Sequence, residues 1–167
     1  MISNANFGTI TMVMFMKMKK TLILILTILT LVLSGCSIPK DPVLDSLGKY
    51  TDKEYYSDAG FQDSTDYAKY SFDNAKLDGN KYLEKMSAQG KDALLTHVEN
   101  FGEWIDAIKG SDPDAEIAAK YDFDASIISD DDYLYIDDDP DYPELGCYDV
   151  YFFDSESMTL YYFHVNI

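Results

Sequence analysis

Two cysteines, two histidines and 30 acidic residues carry most of the chemistry open to this chain of 167 residues, which contains no arginine. Cys36 follows Leu33, Ser34 and Gly35. A thiolate is a far better nucleophile than an alcohol at neutral pH, and small neighbours let an extended backbone enter a modifying enzyme's groove. Cys147 with His97 or His164 could form a nucleophile and base, but no local motif joins them, and a buried cysteine is commonly just a small hydrophobe. His97 sits at the border of a helical apolar face and His164 within a strand, so each also reads as a structural side chain. Two carboxylate runs, Asp130, Asp131 and Asp132, then Asp137, Asp138, Asp139, Asp141 and Glu144, stand at the two ends of one expected strand. Calcium takes about six to eight oxygen ligands, so these are candidate metal ligands. Their spacing lacks the Asp-x-Asp-x-Asp-Gly and twelfth-position glutamate of an EF-hand, and solvated turns guarding a sheet edge are the alternative. Tyr133, Tyr135, Tyr151, Tyr161 and Tyr162 are candidates for a binding face, because Tyr and Asp together line many sugar and peptide sites.

Charge narrows the partners. All 30 acidic residues follow Cys36, whereas three of the 13 lysines precede it. The part beyond Cys36 is therefore strongly anionic and has no guanidinium for bidentate phosphate or guanine contacts, which excludes nucleic acid. There is no phosphate-binding glycine loop, Cys-x-x-Cys, His-Glu-x-x-His or Gly-x-Ser-x-Gly. With Cys36 consumed by modification, no disulfide framework is expected.

Ahead of Cys36 stand Lys17, Lys19 and Lys20, then an apolar run from Thr21 to Leu33. That is a signal-peptide layout. At about 1.5 Å per residue the run falls short of a hydrocarbon core roughly 30 Å thick, which disfavours a permanent span. Residues 33–36 match the lipobox of bacterial lipoprotein precursors, which the chain resembles here. The resemblance implies a diacylglyceryl thioether on Cys36, cleavage before it, and anchoring to the extracytoplasmic face of the cell membrane. Two acyl chains supply the second anchoring signal that one chain lacks. An ordinary secretory signal with an incidental cysteine is the alternative. Residues 1–16 fit neither a charged leader nor a folded element, so Met16 or Met18 is the expected start.

The expected organisation is a signal peptide over 1–35, a lipidated cysteine and Pro/Gly-containing tether over 36–48, and one acidic domain over 49–167. Residues 50–72 show no clean period beyond a short helix near Thr65 to Tyr70. Tyr82, Leu83 and Met86 suggest a first short helix. Leu94, Val98, Phe101, Ile105 and Ile108 recur at helical spacing through Lys91 to Lys109, broadened by Trp104, and Ser111-Asp112-Pro113 opens a last turn to Lys120. Ala125 to Ile128, Asp132 to Ile136, Cys147 to Phe153 and Thr159 to Val165 read as strands, the last two joined through Asp154 to Ser157. Helices over about 79–120 packed on a small antiparallel sheet from the C-terminal third give an α+β class.

Three stretches resemble a group of uncharacterised small lipoproteins of Gram-positive bacteria. They are Gly60-Phe61-Gln62-Asp63 through Tyr67-Ala68-Lys69-Tyr70, Asp132-Tyr133-Leu134-Tyr135-Ile136, and Tyr151-Phe152-Phe153-Asp154 through Leu160-Tyr161-Tyr162-Phe163-His164. That resemblance implies a fold and an address, and no activity. The expected function is a membrane-anchored, non-catalytic interaction module for a protein or cell-wall component. A calcium-binding extracytoplasmic domain is the alternative, and a hydrolase of unrecognised type the third reading.

Overall fold

In a computed structural model, residues 41–60, 63–138 and 146–166 are described. They comprise α1 (Pro42–Leu47), β1 (Asp52–Ala59), β2 (Ser64–Ser71), β3 (Glu84–Lys85), α2 (Ala88–Ser111), α3 (Glu116–Lys120), a 3-10 turn (Ala125–Ile127), β4 (Tyr133–Asp138), β5 (Tyr148–Asp154) and β6 (Thr159–Asn166). Among these residues the strands form one antiparallel sheet in the order β1-β2-β6-β5-β4-β3. This is the α+β class expected, with the last three strands forming the meander. The signal segment and Cys36 lie outside the described residues, as do Phe61, Gln62, Asp139, Asp141 and Glu144.

Successive strand side chains point to opposite faces, and here both faces bury apolar groups. On one face α2 and α3 cover Tyr67, Val150, Phe152, Phe163 and Val165, with Leu94, Phe101, Ile105 and Ile108 as the buried stripe of α2. On the other, α1 and the segment after β2 cover only one end of the sheet, packing Val43, Leu47, Phe72 and Leu83 against Ala68, Phe153 and Leu160. The opposite end of that second face carries the polar residues described below.

Several local readings change. The stretch expected as tether joins the domain from residue 41: Asp41 caps α1, accepting from the Val43 and Leu44 N–H groups at 2.9 and 3.1 Å, with Pro42 at the first helical position. Val43 and Leu47 are buried, so six residues suffice when the core holds them. Thr65 to Tyr70 is strand, not helix, because β2 lies between β1 and β6 and both its neighbours supply a full ladder. Tyr82 and Leu83 donate their N–H groups to Asn80 Oδ1 at 2.9 and 3.1 Å, a side-chain turn that replaces the first helix. The helix begins instead after Ser87, whose hydroxyl accepts from Gly90 N–H at 3.0 Å. Gly90 lets α2 approach the sheet: a Cβ there would come within 3.3 Å of Ser87 Oγ and 3.4 Å of Leu134 Cδ2. In place of the strand expected over Ala125 to Ile128, Ala125–Ile127 forms a 3-10 turn, with Asp124 accepting from Ser126 N–H at 2.9 Å.

Candidate functional site

The β5–β6 turn pairs Asp154 with Thr159, and that register places every later pair of the hairpin: Tyr151 opposite Tyr162, and Asp149 opposite His164. Neighbouring strands extend both pairs into rows across the sheet. One row runs Tyr135, Tyr151, Tyr162, Ala68, Tyr55; the next runs Asp137, Asp149, His164, Asp66. Both lie on the less covered face.

The first row is a chain of ring contacts. Centroids lie 5.6 Å apart for Tyr82 and Tyr135, 6.0 Å for Tyr135 and Tyr151, and 4.9 Å for Tyr151 and Tyr162, and the His164 ring stacks 6.2 Å beyond. Tyr55, at the sheet edge, is 45% exposed. Tyr151 donates to Asp41 Oδ2 at 3.0 Å, tying the row to the cap of α1.

The second row is a hydrogen-bonded network. His164 Nδ1 lies 2.9 Å from Asp149 Oδ1, which also accepts from Tyr162 Oη at 2.6 Å; His164 Nε2 lies 3.0 Å from Ser64 Oγ. Burial raises the Asp149 carboxyl, but the hydrogen bonds from His164 and Tyr162 outweigh it and hold the group below the usual carboxylate range. The bond to Asp149, opposed by burial, lifts His164 above the ordinary imidazole value, and the Asp66 charge adds to the lift. Burial, then the Asp149 charge and hydrogen bond, push Tyr162 upward, so it stays a donor. Among the described residues Asp66 Oδ1 is buried without a hydrogen-bond partner, and leaving such a group unmet costs about 1–3 kcal/mol. Where the rows meet the sheet end, a cavity of about 330 Å³ is lined by Asp137, Cys147, Asp149 and His164 among others.

The candidate residues from the sequence divide. Tyr133, Tyr135, Tyr151 and Tyr162 share the less covered face, whereas Tyr161 lies on the other, packed on Phe123 and Phe152. Among the acidic residues, Asp132 is buried and holds backbone: it accepts from the N–H groups of Ser129 at 2.7 Å and Ser155 at 2.9 Å. Asp131 pairs with Lys85 at 3.0 Å, Asp130 is exposed, and Asp138 pairs with His97 at 2.8 Å. The Asp132 and Asp137 ends of β4 stand about 17 Å apart at the usual strand rise. Among the described residues no group of three His, Cys, Asp or Glu is placed to hold a metal.

His97 spends its second nitrogen on Ala93 O at 2.8 Å, and its ring packs edge-on to Tyr148 at 4.8 Å. Both ring nitrogens of each histidine thus have oxygen partners. Cys147 is buried, its Sγ 3.9 Å from Asn166 Oδ1. Sequence reasoning missed Ser64, Asp66 and Asp149. The turn between β5 and β6 contained the signal for Asp149, since a four-residue connection puts it opposite His164. No known protein family, curated protein or solved structure matches this chain, so what this face does is argued from its own chemistry.

Proposed function

We propose that this chain is a lipoprotein anchored through Cys36 on the extracytoplasmic side of the membrane, where it binds a cell-wall component on the aromatic and acidic rows of its sheet. The lipobox Leu33-Ser34-Gly35-Cys36 and the lysine-led apolar run support the address. The row of Tyr135, Tyr162 and His164, each half-buried, with the buried Tyr151 joining their rings, carries the binding reading. Aromatic faces receive the C–H faces of sugars, and an adjoining row of carboxylates accepts hydroxyl, amide or ammonium donors. A polymer with repeating rings and donors meets both rows at once. The domain's negative charge turns away anionic partners and leaves the lipid as the membrane contact.

The test is cosedimentation of the detergent-solubilised full chain with purified peptidoglycan sacculi, beside Tyr55→Ser, Tyr135→Ser and, on α2, Leu95→Ser. Binding that falls with the two tyrosine variants and persists in Leu95→Ser is expected. Binding unaffected by either tyrosine variant, or no binding by the wild type, rejects the reading. Growth of cells with labelled palmitate tests the address: label should enter the wild type and be lost in Cys36→Ala.

A further inference from the structure

We propose that Ser64, His164 and Asp149 form a nucleophile, base and orienting carboxylate for the hydrolysis of an acyl ester. Ser64 Oγ is 3.0 Å from His164 Nε2, and His164 Nδ1 is 2.9 Å from Asp149 Oδ1. The nitrogens are used in the order that the chemistry requires: a proton on Nδ1, held by Asp149, leaves the Nε2 lone pair facing the hydroxyl. The three residues stand on β2, β6 and β5, three adjacent strands, so their spacing is set by the ladder rather than by a loop. Tyr162 donates to the same Asp149 oxygen at 2.6 Å and fixes that carboxylate further.

Access is also in place. His164 and Asp149 side chains are 22% and 33% exposed, and Ser64 is half-buried. The cavity at the sheet end reaches both His164 and Asp149. Asn166 is the register partner of Ser64 and also lines that cavity; its Oδ1 lies 3.9 Å from Cys147 Sγ, and its amide N–H groups are the neutral donor the proposal assigns to the oxygen that gains charge. His164 stands between two carboxylates, Asp149 on β5 and Asp66 on β2.

In the first step Ser64 Oγ bonds to the ester carbonyl carbon while its proton passes to His164 Nε2. The bond from that carbon to the alcohol oxygen breaks, and the alcohol leaves with the proton from Nε2. Water then gives a proton to Nε2 as its oxygen adds to the acyl carbon. The carbon–Ser64 bond breaks, the carboxylic acid departs, and Ser64 recovers its proton. The sum is ester plus water to acid plus alcohol, with no change of oxidation state. The site shares His164, Asp149 and Tyr162 with the rows of the binding face, but its chemistry does not require that wall polymer binds there.

The full chain in detergent is treated with a fluorophosphonate probe, which phosphonylates activated serines whatever their natural substrate, and the adduct is mapped by peptide mass. In parallel, p-nitrophenyl acetate hydrolysis is followed against pH. The expected result is one adduct on Ser64. Hydrolysis should fall by roughly 10²–10⁴-fold in Ser64→Ala and His164→Gln, the usual size of such a contribution, and survive in Ser57→Ala. The rate should rise with pH through one ionisation above the ordinary imidazole value, because Asp149 on β5, Asp66 on β2 and the Tyr162 hydroxyl beside Asp149 surround His164. The thermal midpoint of Ser64→Ala shows that the loss is not unfolding. No adduct at millimolar probe, an adduct elsewhere, or hydrolysis unchanged in folded Ser64→Ala overturns the proposal. Sacculus binding is measured separately, so failure here leaves that result standing.

Discussion

The two faces of the sheet use the same residue types for different ends. On the helix-covered face Tyr67 is fully buried among Phe101, Tyr121 and Phe163, and its hydroxyl reaches out to Asp122 at 2.8 Å at the rim. On the other face Tyr162 turns its hydroxyl inward along the sheet to Asp149, and its ring lies beside His164. The covered face has its apolar rings closed off by α2 and α3. The less covered face has rings joined to one another and to a polar network that ends at solvent. A tyrosine in a strand therefore says little until the face opposite it is known, and that is why a composition rich in tyrosine pointed to binding without placing it.

Substitutions that separate the faces should differ in size and in kind. The largest stability loss is expected on the covered face: Phe152→Ala removes a fully buried ring and should cost about 3–5 kcal/mol in urea unfolding. A cost under about 1 kcal/mol would mean that this face is not the main core. Asp132→Ala comes next, since it strands the N–H groups of Ser129 and Ser155 in a buried position; roughly 1–3 kcal/mol is expected from the same measurement. At the edge of the less covered face, Asp41→Ala removes the cap of α1 and the partner of Tyr151 and should cost about 1 kcal/mol. Tyr55→Ser, on an exposed site, should stay within about 0.5 kcal/mol of the wild type while still weakening sacculus binding.

The polar row adds a pH signature of its own. His164 has a raised folded value, so its contribution is complete below the ordinary imidazole value and fades as pH climbs through the folded one. Asp149 has a lowered folded value, so its contribution is complete above the ordinary carboxylate value and fades as pH falls through the folded one. The pair is therefore worth most between those two ordinary values, from about pH 4 to about pH 6.5. The stability difference between the wild type and His164→Gln should be greatest in that interval and shrink on either side, read from denaturant midpoints at matched ionic strength. A difference that does not vary with pH would contradict the pairing.

How much of this was legible in the sequence depended on how local each signal was. The α2 stripe from Leu94 to Ile108 is written at 3.6-residue spacing, and β4, β5 and β6 as short aromatic runs between turn residues, so both the class and the C-terminal meander could be read. The strand β2 could not, because it is buried on both faces and its apolar and polar residues do not alternate cleanly. The helix α1 is too short for any period to appear, although Asp41-Pro42 carried a start signal. The network at His164 was legible in part: the hairpin places Asp149, but Ser64 is 100 residues away and meets His164 only because β2 docks beside β6. The acidic runs illustrate the converse, since neighbours in sequence went to separate tasks, Asp131 to Lys85 and Asp132 to backbone.

The most direct test of the binding face is residue-resolved NMR of the chain in detergent micelles, titrated with soluble peptidoglycan fragments. Shifts that saturate and cluster at Tyr55, Asp66, Tyr135, Asp149, Tyr162 and His164, with α2 unmoved, are the expected result. Shifts confined to α2 and α3, or none at millimolar fragment, would contradict the assignment of function to this face.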